Sequence, residues 1–255
     1  MSASAAVIRQ AVVALGDAER AASSAWFFKT GPGEYAEGDV FVGVPVPQLR
    51  KLARQFRGAD IATCSELVAD DVHEVRLLAL LLMVQGFAER AQNPADRAQN
   101  RTDRAQNRTD RAQWVQCYRD AIAEGHVNNW DLVDSSARQI LGQWCLDNDD
   151  HAELIDYARR ESLWDRRVGI IGTHAYVWVG DPTATLAVAP LIVDDRRDLI
   201  QKAFGWMLRE MGKRVERAEL TRYLDEHAAQ LGRTALSYAV EHLTPDERKH
   251  YRALR

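Results

Sequence analysis

The sequence predicts an all-α chain built as a curved α-solenoid of HEAT-like helix pairs. Three observations carry that expectation. Ala, Leu, Arg and Glu recur at helical spacing along the 255 residues. Alternating, β-branched stretches are scarce. From Trp114 onward the helical segments come in pairs with a period of about 35–45 residues, the spacing of helical solenoid repeats. Stacked pairs of this kind make a curved slab, with the second helix of each pair expected on the concave side. At 46% hydrophobic content, the chain can bury a large core in one domain spanning residues 1–255.

Each element follows from local signals. Helices are expected over 5–15 and 18–28, around the Gly16-Asp17 break. A long Gly- and Pro-containing loop, Lys29 to Asp39, leads into Val40-Phe41-Val42-Gly43-Val44-Pro45-Val46-Pro47. Pro47 suits the first turn of the next helix, with Leu49, Leu52 and Phe56 inward and Arg50, Lys51 and Arg54 outward. Helices at 64–69 and 72–90 follow, the second apolar enough to lie buried between neighbours. The pairs are then placed at 113–123 and 130–146, 150–159 and 162–179, 183–193 and 197–215, and 218–230 and 234–242, with a short tail from Pro245.

Residues 90–113 break the pattern. The unit Arg-Ala-Gln-Asn-Arg-Thr-Asp occurs twice and is flanked by partial copies. Its seven-residue period offers only Ala98, Ala105 and Ala112 as apolar positions, too little to bury in a coiled coil. It reads as a tandem insertion between two helices, forming a polar loop or extended helix ends, whose arginines make a solvated charge run.

The net charge of −4 gives no global basic signal, so nucleic-acid binding would need a local patch. Cys64, Cys117 and Cys145 stand singly, a pattern that points away from zinc, iron–sulfur and disulfide frameworks and toward a reducing compartment. The longest apolar run, Leu77 to Val84, is too short to span a bilayer. Met1 to Gly16 lacks the basic start and cleavage signature of a signal peptide. The expected location is cytoplasmic, with the nucleoid DNA if the source is bacterial. No metal or nucleotide cofactor motif is visible, and no cofactor is expected.

The stretch Asn128-Asn129-Trp130-Asp131-Leu132-Val133-Asp134 stands out. Asn129 suits an N-cap, and Trp130 and Asp134 are four residues apart on one helix face. That pair is either a core tryptophan with a surface acid, or an aromatic and a carboxylate presented together. Farther on, Trp164-Asp165-Arg166-Arg167 precedes an apolar run. Lys202, Trp206, Arg209 and Lys213 step by four, three and four, giving a basic helix face with an aromatic in its middle. One such stripe is an ordinary solvated face. Repetition of Trp or Asp flanked by Arg or Lys on three helices favours a basic binding surface.

At these residues the chain resembles the AlkD-type DNA alkylation repair glycosylases. The resemblance rests on Phe27-Phe28-Lys29-Thr30-Gly31-Pro32-Gly33-Glu34-Tyr35, on Val42 to Pro47 before Arg50-Lys51, on Asn129 to Asp134, on Trp164 to Arg167, and on Lys202-Ala203-Phe204-Gly205-Trp206-Met207-Leu208-Arg209-Glu210. These fall in the family's order over most of the chain; the heptad insertion is foreign to it. The resemblance implies a curved array of HEAT-like repeats holding duplex DNA, and removal of N3- and N7-alkylated purines. It implies lesion-facing Trp130 and Trp206, a catalytic Asp134 and a backbone-contacting Arg167. All four positions are retained, which implies an active enzyme and not a relative that binds DNA without cleaving. Arg166, Lys202, Arg209, Lys213, Arg50 and Lys51 complete the expected DNA-binding set. The expected partner is double-stranded DNA carrying alkylated bases, bound by a monomer without any membrane. The alternatives are a non-catalytic DNA-structure binder on the same fold and a HEAT-type protein-binding scaffold.

The chemistry fits these residue types. Alkylation at N3 or N7 makes the purine cationic, so the base leaves without prior protonation and no general acid is needed. What remains is an oxocarbenium-like sugar and an attacking water, both served by one carboxylate. Indole faces attract cations by roughly 0.5–2 kcal/mol each, depending on desolvation.

Overall fold

The structure, a computed structural model, describes residues 3–89 and 101–254, with the side chains of 101–105 left aside. Among the described residues every regular element is helical, apart from an isolated parallel bridge between Val40 and Val72. Two compact units divide at Ser136 and Ala137.

The first unit holds α1 (Ala5–Val13), α2 (Ala18–Phe27), α3 (Val46–Gln55), α4 (Ile61–Val68), α5 (His73–Glu89), α6 (Arg101–Ala123) and α7 (Trp130–Asp134). Side-chain caps start several of them: Ser4 accepts from the Val7 amide, Asp17 from Arg20 and Asp60 from Thr63. The Asp60 cap begins α4 at Ile61, a turn earlier than the apolar pattern alone placed it. Helix α5 is the centre of this unit. It packs on α1, α3, α4, α6 and α7, and residues on every side of it are buried, among them Leu77, Leu78, Leu80, Leu82 and Met83. Gly86 lies under the Trp114 indole, where a Cβ would come within 2.3 Å of a ring carbon.

Helix α6 begins at Arg101, so the later part of the insertion is the extended helix start and not a loop. Ala, Gln and Arg are good helix formers, and the Gln116–Asp120 and Gln106–Asp110 pairs hydrogen-bond at i,i+4, at 2.8 and 2.7 Å. Arg111 also lies 4.1 Å over the Phe87 ring of α5, so this polar stretch is tied to the core. Residues 90–100 of the expected insertion lie outside the described residues.

The second unit holds a π-helical turn (Arg138–Gly142), α8 (Gln143–Asp147), α9 (Ala152–Arg159), α10 (Leu163–Gly172), α11 (His174–Trp178), α12 (Thr183–Ile192), α13 (Asp198–Arg214), α14 (Arg217–His227), α15 (Arg233–Ala239) and α16 (Pro245–Ala253). The expected pairs pack together as α9 with α10 and α12 with α13, while α14 and α15 follow in order and both pack on α13. Helix α13 is the hub, touching α10, α11, α12, α14 and α15. Gly205 makes the α13–α15 approach possible, since a Cβ there would sit 2.4 Å from the Ala235 carbonyl oxygen. A capping box of Thr244 and Glu247 makes the tail a helix.

Two expected long helices are broken. The segment 130–146 divides into α7, a turn, the π-helical turn and α8. Near the break, the Ser136 hydroxyl bonds the Leu132 carbonyl at 2.6 Å and meets the Tyr118 hydroxyl at 2.9 Å, competing with the helix ladder. The segment 162–179 breaks at Thr173, whose hydroxyl donates to the Ile170 carbonyl at 2.7 Å and accepts from Thr185 at 3.0 Å.

Candidate functional site

In the first unit, α7 is short and its position comes from polar anchoring. Asn129 is fully buried; its side-chain oxygen accepts from the Trp130 amide at 2.8 Å and its amide donates to Asp39 at 3.2 Å. Asp131 turns inward to His73, which leads α5. The His73 ring is buried, with Nε2 at 2.9 Å from Asp131 Oδ2 and Nδ1 at 3.0 Å from Asp39 Oδ2. Both ring nitrogens therefore face carboxylates, the arrangement of an imidazolium donating twice. Burial opposes that charge, but the hydrogen bonds to Asp131 and Asp39 outweigh it and lift the pKa to about 8. Burial likewise pushes Asp39 up, while His73, Arg76 and Asn129 together hold it below its ordinary value. Arg76 completes the knot, reaching Asp39 at 2.6 Å and the backbone carbonyls of Asp70 and Asp71.

An aromatic ladder runs over this knot. Trp130 stacks on Phe28 with centroids 5.3 Å apart and planes at 13°; Phe28 stacks on Phe41 at 5.0 Å, and Phe41 on His73 at 4.5 Å. Phe27 presents its edge to Trp130 at 6.2 Å. Trp130 is thus neither a core residue nor a loose surface ring: it is half-buried and backed by three stacked rings. Asp134, at the far end of α7, is also half-buried. The helix places indole and carboxylate one turn apart on the same side.

The loop before α3 is fixed by another carboxylate at the head of α5. Buried Glu74 accepts from the amides of Gly43 at 2.7 Å, Val42 at 3.1 Å and Val44 at 3.2 Å. Gly43 has φ +83°, and a Cβ there would lie 2.2 Å from the Asp17 carbonyl oxygen. Arg50 and Lys51 follow on α3 and are exposed, as expected.

In the second unit the expected basic residues divide. Trp206 is half-buried on α13, its ring edge-on to His174 at 5.5 Å. Lys213 is exposed, and Lys202 pairs with Asp198 at 2.7 Å. Arg209 bonds Glu241 and lies 3.4 Å from Glu210, so much of its charge is answered within the fold. Arg166 donates to the Leu191 carbonyl and pairs with Asp195 at 3.0 Å. Arg167 is only 4% exposed and donates to the Leu199 carbonyl in the first turn of α13. That bond answers a backbone group and ties α10 to α13.

The sequence reading passed over His73, Glu74, Arg76 and Asp39. A signal was present: three polar residues crowd the first four positions of a helix whose next eight, Leu77 to Val84, are all apolar. Four charged or polar groups in such surroundings are retained only with partners.

Comparison with known proteins agrees with this architecture. A family model described as DNA alkylation repair enzyme matches residues 8–243. A solved structure described as a predicted DNA alkylation repair enzyme from Enterococcus faecalis is similar in fold, with a TM-score of 0.62 at 18% identity, covering 90% of this chain and 97% of that one. No curated protein matches the chain in sequence. On the match to the family model over most of its length, the chain belongs to the DNA alkylation repair enzyme family.

Proposed function

We propose that the protein is a monofunctional DNA glycosylase that excises N3- and N7-alkylated purines from duplex DNA by hydrolysing the N-glycosidic bond. The observation that carries this reading is the presentation of Trp130 and Asp134. A half-exposed indole is held in place by the Phe28–Phe41–His73 stack, with a carboxylate one helical turn away.

A cationic purine is already a good leaving group, so the enzyme's task is to stabilise the positive sugar left behind and to direct water to it. Asp134 supplies the negative charge for both. Trp130 supplies an electron-rich face to the cationic nucleotide, and its rigid backing means little ordering is needed on binding. In the second unit Trp206 is assigned a second indole contact to the lesion-bearing DNA, with Lys202, Lys213 and Arg209 near it on α13. Exposed Arg50 and Lys51 serve the phosphate backbone from the first unit. Arg167 and Arg166 on α10 are assigned to the phosphate backbone as well, each also bonding a carbonyl within the fold, Leu199 of α13 and Leu191 of α12. We further propose that the two units act together as one repair domain.

The test is incubation of the protein with duplex DNA containing N7-methylguanine, followed by detection of free base and abasic sites. Release of free base supports the glycosylase. Binding without release points instead to a non-catalytic DNA-structure binder, and neither to a protein-binding scaffold.

A further inference from the structure

We propose that Arg138, held on the Trp178 ring beside Arg214, is a contact for the DNA phosphate backbone in the second unit. The proposal rests on the DNA-binding part of the function proposed above and not on its excision chemistry.

Trp178 closes α11 and is 52% exposed, unusual for so large an apolar ring. Two guanidiniums lie against it, Arg138 at 4.6 Å and Arg214 at 3.8 Å from its centroid. Arg138 opens the π-helical turn Arg138–Gly142, a rare backbone form that occurs disproportionately at functional sites. The turn is fixed by close packing, since a Cβ on Gly142 would sit 2.2 Å from the Gly172 carbonyl oxygen.

Among the cations around Trp178, Arg138 stands apart. Arg214 pairs with Glu210 at 2.7 Å. Arg209 pairs with Glu241 and lies 3.4 Å from the same Glu210. His174 lies edge-on to both Trp178 and Trp206. Burial and the charges of Arg138 and Arg214 overcome the pull of Glu210 and push its pKa down to about 4, so it adds no positive charge at neutral pH. Glu210 is thus shared by two arginines, and among the described residues no carboxylate pairs with Arg138. Burial and the nearby Arg214 both press against its charged form. A half-buried cation, stacked on an aromatic and facing a second cation, is a costly thing to keep without an anion. Arginine's planar fork matches the oxygens of a phosphodiester, and stacking on Trp178 pre-orders it for that bond. In a protein of this family the anion at hand is the DNA backbone.

The experiment compares Arg138→Ala, Arg138→Lys and the surface variant Arg159→Ala for binding to an undamaged duplex over a range of salt concentrations. Arg138→Ala is expected to bind roughly tenfold more weakly at low salt and to lower the log–log salt slope by about one. Arg138→Lys keeps the charge and is expected to keep the slope while losing part of the affinity. Arg159 is exposed and has Asp156 within 3.4 Å, so its removal is expected to change the slope much less. Unchanged affinity and slope in Arg138→Ala, or a loss no larger than that of Arg159→Ala, would overturn the proposal. A melting temperature that falls in Arg138→Ala is controlled by the lysine variant: loss of the salt slope in a stably folded Arg138→Lys protein also contradicts it. Base release is measured separately at saturating protein. Its absence in the parent would remove the glycosylase reading and leave the phosphate contact standing on the binding data.

Discussion

His73 Nε2 lies 2.9 Å from Oδ2 of Asp131, the residue immediately after Trp130. Through this bond α5 sets the position of α7, and with it the indole that α7 carries. The bond has a pH signature. Because the folded pKa of His73 is raised to about 8 from an ordinary 6.5, its contribution is complete below about pH 6.5 and is lost as pH rises through about 8. A shift of that size corresponds to about 2 kcal/mol. Asp39 has the opposite sign: its lowered pKa contributes above the ordinary carboxylate range and is lost in acid. Urea unfolding at pH 6 and pH 9 should show the parent losing about 2 kcal/mol more than His73→Gln over that interval. Equal losses in the two proteins would show that the His73 charge is not coupled to folding.

Glu74 and Gly43 form the second fixed point. Glu74→Gln replaces a carboxylate oxygen with a donor facing amide donors, and is expected to cost about 2–3 kcal/mol. Gly43→Ala meets both a left-handed backbone and the Asp17 carbonyl. Gly38 has a similar φ of +88° with open space around its Cβ position, so Gly38→Ala should show the backbone cost alone, about 1–2 kcal/mol. Denaturant midpoints that rank Gly38→Ala at or below Gly43→Ala would contradict the close approach.

Deleting one heptad, residues 97–103, should change stability by less than about 1 kcal/mol, because the unit offers a single alanine as apolar surface to bury. It leaves Arg111 in place over Phe87. A fall in melting temperature larger than that of Arg111→Ala would show that the repeat supports the core.

The helix pairs were legible because their apolar periodicity is strong and the packing they serve is local. Asn129 before Trp130 and the four-residue spacing to Asp134 were legible for the same reason, being matters of one helix turn. The breaks at Ser136 and Thr173 were not, since they depend on hydroxyls whose partners, Tyr118 and Thr185, come from other elements. His73 was invisible as an anchor because Asp39 and Asp131 lie 34 and 58 residues away in sequence. The early start of α6 was missed because the apolar pattern is silent there, while helix propensity and the Arg111–Phe87 contact are not. The bond from Arg167 to the Leu199 carbonyl was equally out of sight, because the two residues lie 32 apart in sequence.

The central claim is that the Asp134 carboxylate stabilises the positive sugar. Asn is nearly isosteric and still hydrogen-bonds water, so Asp134→Asn removes little beyond the charge. Single-turnover excision of N7-methylguanine from duplex DNA tests this most directly. The expected result is base release slowed by two or more powers of ten, about 3 kcal/mol, with undamaged-duplex affinity unchanged or slightly higher. A rate within threefold of the parent would contradict it, leaving Asp134 as a structural charge at the end of α7.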